Sequence, residues 1–120
     1  MVPIWSVSND GKKLAFAPGP QGPIQVRSFS TGRQQVISAR ALNRIAAIAW
    51  TSDKKGLFVS NVFNGGAEIL HLSLQGKATI LWKCRGECPA IGVTAPSPDG
   101  RHLAIYEFKQ NSNMWMMENF

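Results

Sequence analysis

The sequence predicts an all-β fold, and three observations support this prediction. A turn followed by a short apolar strand recurs three times, and its most regular copy runs from Ser97 to Tyr106. The chain of 120 residues contains 11 Gly and 7 Pro, which is too rich in turn formers for a helical bundle. Hydrophobic residues make up 44% and charged residues 17%, which is too apolar for a disordered chain. Many short strands joined by tight turns account for all three.

The turn Ser97-Pro98-Asp99-Gly100 reverses the chain for identifiable reasons. Pro98 presets the backbone φ angle, Asp99 can accept a hydrogen bond from the backbone two residues on, and Gly100 tolerates a positive φ. We therefore expect these residues to serve turn geometry. The matching turn residues of the two upstream copies are Asp10, Gly11, Asp53 and Gly56. In the second copy, two lysines separate the Asp from the Gly.

The copies recur at a regular interval along the chain. Trp5 and Trp50 lie 45 residues apart, and Ala95 follows Trp50 by another 45. The two tryptophans are thus expected to share one repeat position, which favours core packing over stacking on nucleic-acid bases. A repeat of this length with four short strands is typical of β-propeller blades, which stack on one another to bury their faces.

Each repeat continues with further strands in the same order. A second alternating segment follows the turn-and-strand pair, at residues 24–29, 68–74 and 113–118. The first two repeats then add another strand, at residues 35–38 and 78–82, and the third ends before it. The predicted units are 1–44 for the first blade, 45–89 for the second and 90–120 for a partial third. The expected fold is a β-propeller fragment of two full four-stranded blades plus this partial blade.

One stretch also fits a helix. Residues 38–49 resemble a capped amphipathic helix, with Leu42, Ile45 and Ile48 on one face. The repeat register overrides this local preference, because residues 45–50 occupy the position that 90–95 hold in the next unit. We therefore predict a strand over 45–50 and leave a helical turn open for residues 39–43.

The motif of the third copy resembles that of a known family. The pattern Ser-Pro-Asp-Gly-basic-x-Leu-Ala from Ser97 to Ala104, followed by a second strand, resembles the WD-repeat-like β-propeller repeats of TolB and its relatives. The resemblance covers essentially the whole chain. The last ten residues, 111–120, are similar to the C-terminal end of propellers in large bacterial regulators, where the repeats follow a serine/threonine kinase or winged-helix DNA-binding domain.

The resemblance implies a non-catalytic binding or sensing module with a protein or small-ligand partner. The sequence contains no Gly-x-Ser-x-Gly nucleophile elbow, no phosphate-binding loop and no kinase motif, so we expect no enzyme activity, cofactor or metal. The recurring Asp10, Asp53 and Asp99 each stand alone, whereas Ca²⁺ needs six to eight oxygen ligands. An alternative is the propeller segment of a prolyl-oligopeptidase-type peptidase without its catalytic domain.

Cys84 and Cys88 have a spacing that allows more than one interpretation. A Cys-x3-Cys pair fits a disulfide in an oxidising compartment or half of a metal site, and it also fits two free thiols near a turn. The chain has two histidines, His71 and His102, and they do not form the paired arrangement of a zinc finger. His71 lies in an alternating apolar strand, where a packed histidine is the usual finding.

The net charge of +6 is unevenly distributed. Residues 1–60 carry eight Lys and Arg against two Asp, whereas residues 61–120 carry five of each sign. A basic surface for nucleic acid is an alternative function. Because the charges are spread over strands and turns, a solvated face is the favoured interpretation, and a nucleic-acid partner is not expected.

The sequence also bears on location and association. Residues 1–6 do not resemble a secretory signal, and the longest apolar run, 45–50, is far shorter than the roughly 20 residues of a membrane span. We expect no membrane association, and a cytoplasmic location if Met1 is the true start; for a piece of a longer chain an extracytoplasmic location stays open. Unpaired edge strands would favour self-association, with a two-chain ring of six blades as one form.

Overall fold

The computed structural model describes residues 4–38, 42–86, 88, 90–108 and 113–118. Within these ranges every regular element is a β-strand, which confirms the all-β prediction. In chain order the strands are β1 (Ile4–Val7), β2 (Lys13–Ala17), β3 (Ile24–Ser28), β4 (Gln34–Ile37), β5 (Arg44–Trp50), β6 (Gly56–Phe63), β7 (Gly66–Ser73), β8 (Ala78–Arg85), β9 (Ala90–Pro96), β10 (His102–Phe108) and β11 (Asn113–Glu118). None of the described segments is a helix long and apolar enough to cross a membrane.

The strands form three antiparallel sheets in which each strand pairs with the next along the chain. Sheet 1 contains β1 to β4 and sheet 2 contains β5 to β8, each in sequence order. Sheet 3 contains β9 to β11, and the described residues add no fourth strand to it. Most of the turns contain a residue with positive φ, which allows the chain to reverse within a few residues. Each strand can therefore pair with the next one along the chain.

Strand β5 shows that the segment whose sequence also fits a helix is a strand from Arg44 to Trp50. Ile48 and Trp50 are buried against sheet 1, whereas Ala49 packs towards sheet 3. This alternation is that of a strand, so tertiary packing overrides the local helix preference. The helical turn considered for residues 39–43 lies largely outside the described residues.

Two hydrophobic clusters hold the three sheets together. The cluster between sheets 1 and 2 consists of Ala15, Ala17, Ile24, Val26, Ile37, Ile45, Ile48, Trp50, Leu57, Val59, Leu70 and Leu72. The cluster between sheets 2 and 3 consists of Ala49, Phe58, Ile69, Leu103 and Ile105, with Trp82 and Met117 packed beside it. Phe58, Leu72 and Trp82 fill the space between sheets. Phe16 does not, because it alternates with Ala15 and Ala17 and so points away from sheet 2.

The register of the repeats differs by two residues from the one predicted from the tryptophans. Val7 pairs with Leu14 and Trp50 pairs with Leu57, in each case beside the turn. Val7, and not Trp5, is therefore the counterpart of Trp50. Trp5 is 61% exposed and Trp50 3% exposed, so the prediction of core packing is wrong for Trp5. The turn aspartates are 43 and then 46 residues apart, because the strands of sheet 2 are longer than those of sheet 1.

Candidate binding face

The three turns that precede β2, β6 and β10 share one hydrogen-bond pattern. In the first, the Ser8 hydroxyl donates to Oδ1 of Asp10 at 2.6 Å, and the Lys12 amide donates to the same oxygen at 3.0 Å. The Lys13 amide, which begins β2, donates to the Ser8 hydroxyl at 3.1 Å. The hydroxyl thus links the turn to its strand, in addition to the Asp that the sequence indicates.

The other two turns repeat this pattern with different residues. Thr51 donates to Asp53 and Ser97 donates to Asp99. The remaining bonds run from Lys55 to Asp53, from Gly56 to Thr51, from Arg101 to Asp99 and from His102 to Ser97. The sequence does contain a Ser or Thr two positions before each Asp, but its role as a hydrogen-bonding residue of the turn was not predicted. Pro98 is not required, because Asn9 and Ser52 hold its position in the other turns.

Gly56 is not the turn residue that the sequence predicts. The position with positive φ is held by Gly11 at 72°, Lys54 at 63° and Gly100 at 74°. Gly56 instead begins β6, where a Cβ would lie 2.8 Å from the carbonyl oxygen of Leu72. Its lack of a side chain therefore serves a close approach between strands β6 and β7.

The hydrogen bonds of the turns lower the pKa of all three aspartates. The Ser8 hydroxyl, the Lys12 amide and the nearby Lys54 lower the pKa of Asp10 from 3.8 to about 2. The Thr51 hydroxyl and the Lys55 amide also lower the pKa of Asp53, and the Ser97 hydroxyl and the Arg101 amide lower the pKa of Asp99. These carboxylates are ionised at neutral pH and engaged within their own turns.

The three turns lie side by side and contact one another. Asn9 donates from Nδ2 to the carbonyl of Ser52 at 3.1 Å, and Lys54 Nζ lies 3.4 Å from Asp10 Oδ2. A Cβ on Gly100 would lie 2.9 Å from Ser52 Oγ, so the second and third turns also approach closely. Residues 8–13, 51–56 and 97–102 therefore form one continuous surface, which we name the turn face.

Two clefts open on the turn face. Cleft 1, of about 210 Å³, lies where the three turns meet; Trp50 is in its wall, and Pro96 and Pro98 line it from the third turn. The Trp50 indole donates to the carbonyl of Ser6 at 2.9 Å, which ties sheet 2 to sheet 1 at this point. Cleft 2, of about 430 Å³, lies between the second and third turns and is lined by His71, Thr79 and Leu81 among others.

His71 is half-buried in the wall of cleft 2. Its ring packs edge-on against Phe58, with 5.9 Å between the ring centroids. Among the described residues no three His, Cys, Asp or Glu side chains come close enough together to hold a metal ion. Cleft 2 offers ring, hydroxyl and backbone groups to a ligand, and the carboxylates of Asp53 and Asp99 also line it.

Positive charge predominates on the turn face. Five cationic side chains belong to it, Lys12, Lys13, Lys54, Lys55 and Arg101, against the three turn aspartates. Lys54 pairs with Asp10, and among the described residues no further ion pair involves the other four. The face therefore offers outward cations, while one carboxylate oxygen of each Asp is occupied within the turn.

A buried polar cluster lies at the opposite end of sheet 2. Asn61, which is fully buried, donates to Oε1 of Glu68 at 3.0 Å, and Glu68 is only 7% exposed. Oδ1 of Asn61 accepts the backbone amides of Asn43 at 2.8 Å and Arg44 at 3.2 Å. Sequence reasoning did not identify this cluster, because a Glu at the start of a strand is usually exposed. Its bonds are internal, so it fixes the start of β5 against β6.

Cys84 and Cys88 are joined by a disulfide, with 6.0 Å between their Cα atoms. The bond lies at the end of β8, on the side of sheet 2 away from the turn face. Beside it, the Gly86 amide donates to the carbonyl of Gly65 at 2.8 Å. The disulfide therefore helps to fix the exit of sheet 2, and it takes no part in the clefts.

Comparison with known proteins identifies the fold. No protein-family model matches the chain, and no curated protein matches its sequence. Among solved structures, TolB from Acinetobacter baumannii is 19% identical with a TM-score of 0.74 over 96% of this chain and 29% of TolB. Prolyl oligopeptidase B from Galerina marginata is 22% identical with a TM-score of 0.71 over 98% of this chain and 19% of that protein. The β-propeller domain of the Trilobed protease from Pyrococcus furiosus is 14% identical with a TM-score of 0.61, over 99% of this chain and 40% of that domain.

These similarities show that the chain has the fold of a β-propeller fragment, in which sheets 1 and 2 are full blades and sheet 3 contains three described strands. The chain therefore spans less than a third of the Acinetobacter baumannii TolB and of prolyl oligopeptidase B.

Proposed function

We propose that this chain is a non-catalytic propeller module that binds a partner on its turn face. The observation that carries the proposal is the joining of three turns, from three separate sheets, into one surface with two clefts. Loops held on a rigid β scaffold are the usual location of binding residues in such folds. Positive charge on this face favours a partner with acidic groups.

We further propose that the module belongs to a larger bacterial regulatory protein, as its C-terminal part. The resemblance of residues 111–120 to the ends of such propellers supports this, and so does the 29% share of TolB that the chain covers. The proposal that the module is not an enzyme rests on its sequence, which contains no nucleophile elbow, phosphate loop or kinase motif.

The proposal can be tested by selecting ligands and mapping where they bind. A peptide display library would be selected against the purified chain, and the selected peptides would be mapped by chemical-shift changes in an isotope-labelled sample. We expect the shifts to cluster at cleft 1 and cleft 2. Clustering at the disulfide end of sheet 2 would contradict the proposal.

Matched variants sharpen this test. Pro98→Glu adds bulk and a negative charge to cleft 1, and Thr79→Glu does so in cleft 2; both residues are exposed. Asn64→Glu adds the same side chain to an exposed turn at the opposite end and serves as the control. Selected peptides should lose affinity for one of the first two variants and keep it for the control.

A second candidate is the propeller segment of a prolyl-oligopeptidase-type peptidase. The structural similarity to prolyl oligopeptidase B, at a TM-score of 0.71, favours it. The two candidates predict different neighbouring coding sequence. An open frame that continues past Phe120 into a Gly-x-Ser-x-Gly motif would support the peptidase, whereas a kinase or winged-helix frame ahead of Met1 would support the regulator.

A further inference from the structure

The junction between the first and second turns is closed by a cation from within the chain. Lys54 Nζ lies 3.4 Å from Asp10 Oδ2, so the second turn supplies a positive charge to the carboxylate of the turn before it. The third turn has Gly100 in the position of Lys54, since each directly follows the turn Asp and has a positive φ, of 74° and 63°. Because Gly100 has no side chain, it cannot supply a cation to Asp53, the counterpart of Asp10.

Cleft 2 lies at the junction that lacks this cation, and the carboxylates of Asp53 and Asp99 both line it. They belong to adjoining turns, since a Cβ on Gly100 would lie only 2.9 Å from Ser52 Oγ. In both aspartates the bonds of the turn reach Oδ1. The same bonds lower the pKa of both residues, so two ionised carboxylates face one cleft at neutral pH.

The positive groups near these carboxylates do not pair with them. Lys55 and His71 are close enough to Asp53 for their charges to act on it, and His102 is close enough to Asp99. Within the residues that the structure describes, however, no ion pair includes either aspartate. Oδ2 of each is therefore open to a cation from outside the chain.

The rest of cleft 2 suits a cation carried on an apolar stem. Its volume of about 430 Å³ falls in the range of roughly 300–1,000 Å³ typical of small-ligand sites. Beside the carboxylates it is lined by Phe58, His71, Leu81 and Pro96. The aliphatic stems of Arg and Lys pack along such apolar walls while their charged ends reach polar groups. A metal ion suits the cleft less well, since no three metal-binding side chains come together in the described part of the chain.

We propose that cleft 2 binds a basic side chain of the partner, with Arg preferred, whose charged group is held by the carboxylates of Asp53 and Asp99. The inference rests on the proposed function, in which the turn face binds a partner. Arg is preferred over Lys because its planar guanidinium has donors for two carboxylates at once, and its flat face can pack against the His71 ring. This group would do for Asp53 what the Lys54 ammonium does for Asp10.

The turn face around cleft 2 adds a requirement on the rest of the partner. Its other charges are mostly positive and are carried by Lys12, Lys13, Lys54, Lys55 and Arg101. A segment in which one Arg is flanked by acidic residues would match both features, with the Arg in cleft 2 and the acidic residues against these cations. Such a pattern of charge gives specificity, because a uniformly basic or acidic segment meets like charge at one of the two places.

Blocked amino acids test the proposal with the side chain alone. N-acetylarginine amide and N-acetylcitrulline amide have nearly the same shape, but only the first is charged. Titrated into the isotope-labelled chain, the arginine compound should shift the amide signals of residues 51–54 and 97–101. It should bind about 10-fold more tightly than the citrulline compound, because its charge meets two exposed carboxylates. Equal affinities, no saturable shift, or shifts at the disulfide end of sheet 2 would each overturn the proposal.

Variants of Gly100 separate charge from bulk. Gly100→Lys places an internal cation where the second turn has Lys54, and it should weaken binding of the arginine compound at least about 10-fold. Gly100→Met adds similar bulk without a charge and should weaken binding clearly less. Asn64→Lys adds the same charge to an exposed turn at the opposite end and should bind like the parent chain. Circular dichroism would confirm that the variants are folded, and equal losses in the Lys and Met variants of Gly100 would contradict the proposal.

The peptides selected by display distinguish this inference from the proposed function. In a selected peptide that maps to the turn face, replacing its Arg by citrulline should weaken binding. Selected peptides that map to the turn face but contain no basic residue, or that tolerate this replacement, would overturn the inference and leave the proposed function standing. Peptides that map to the disulfide end would contradict both.

Discussion

Lys54 occupies in the second turn the position that Gly11 occupies in the first, with φ angles of 63° and 72°. A positive φ is accessible to Gly without steric cost, whereas a side chain makes it unfavourable. The second turn keeps its shape all the same, because the hydroxyl of Thr51 and the carboxylate of Asp53 hold it in place. The hydrogen-bond pattern that all three turns share thus holds this shape even where a residue other than glycine has the positive φ.

Replacing Lys54 by Gly should stabilise the protein by about 0.5 kcal/mol. Relief of the positive φ outweighs both the greater freedom of Gly in the unfolded chain and the loss of the exposed ion pair to Asp10. Lys54→Ala is the control, because it loses the ion pair and keeps the strained angle, so it should be neutral or slightly destabilising. Urea denaturation measures both changes. A Gly variant less stable than the Ala variant would contradict this account.

Removing the Asp53 carboxylate should lower the free energy of unfolding by about 1 kcal/mol, as the loss of a local cap does. Thr51→Val removes the hydroxyl at nearly constant shape and should cost a similar amount. Because the two side chains hydrogen-bond each other, the double variant should cost clearly less than the two single changes together. Additive effects in this cycle would show that the turn does not work as one unit.

Acid should destabilise the protein through the turn aspartates. Their pKa values in the folded state are lower than in the unfolded chain, for Asp10 about 2 against an ordinary 3.8. Such groups stabilise the fold above the unfolded pKa, and this contribution is lost as the pH falls towards the folded pKa. The melting temperature should therefore fall between about pH 4 and pH 2. A variant with Asn at positions 10, 53 and 99 should show a flatter profile over this range, and an unchanged profile would count against the turns as its source.

Asn61→Ala should destabilise the protein by about 3 kcal/mol, because it leaves the buried Glu68 carboxylate without its amide donor. Glu68→Gln, made in the Asn61→Ala background, should recover part of the loss, since it removes the buried charge. Asn64→Ala changes an exposed Asn in the adjacent turn and should cost less than about 0.5 kcal/mol. Equal losses in the two Asn variants would show that the cluster contributes little.

Because Cys84 and Cys88 form a disulfide, we expect protein purified without reductant to contain no free thiol when it is titrated under denaturing conditions. Because Cys84 and Cys88 are only four residues apart, the bond constrains a short loop, and its reduction should cost about 2 kcal/mol or less. The measurement is a denaturation curve with and without reductant, with the Cys84→Ser/Cys88→Ser variant as control. Two titratable thiols would show that the bond is absent in solution.

The repeat made most of the fold predictable, because each turn motif specifies where a strand begins and sheets of this kind bury their faces against one another. It predicted β5 correctly where local propensity favours a helix. It was wrong for Trp5, since alignment by residue type ignores that the strands of the two sheets differ in length, and only strand pairing shows that Val7 matches Trp50. The repeat could not predict the clefts or the hydrogen bond between Asn61 and Glu68. Both depend on side chains that are brought together by the packing of separate strands and sheets.

Gly56 has a consequence for cleft 2 although it does not line that cleft. A Cβ at this position would lie 2.8 Å from the carbonyl oxygen of Leu72 and 2.9 Å from Nε2 of His71, so a larger residue would have to displace the β7 backbone or the imidazole that lines the cleft. The volume that cleft 2 offers to a ligand therefore depends on Gly56, a residue that does not line the cleft. Related chains with a bulkier residue at this position would be expected to accept smaller ligands, even if every residue that touches the ligand were the same.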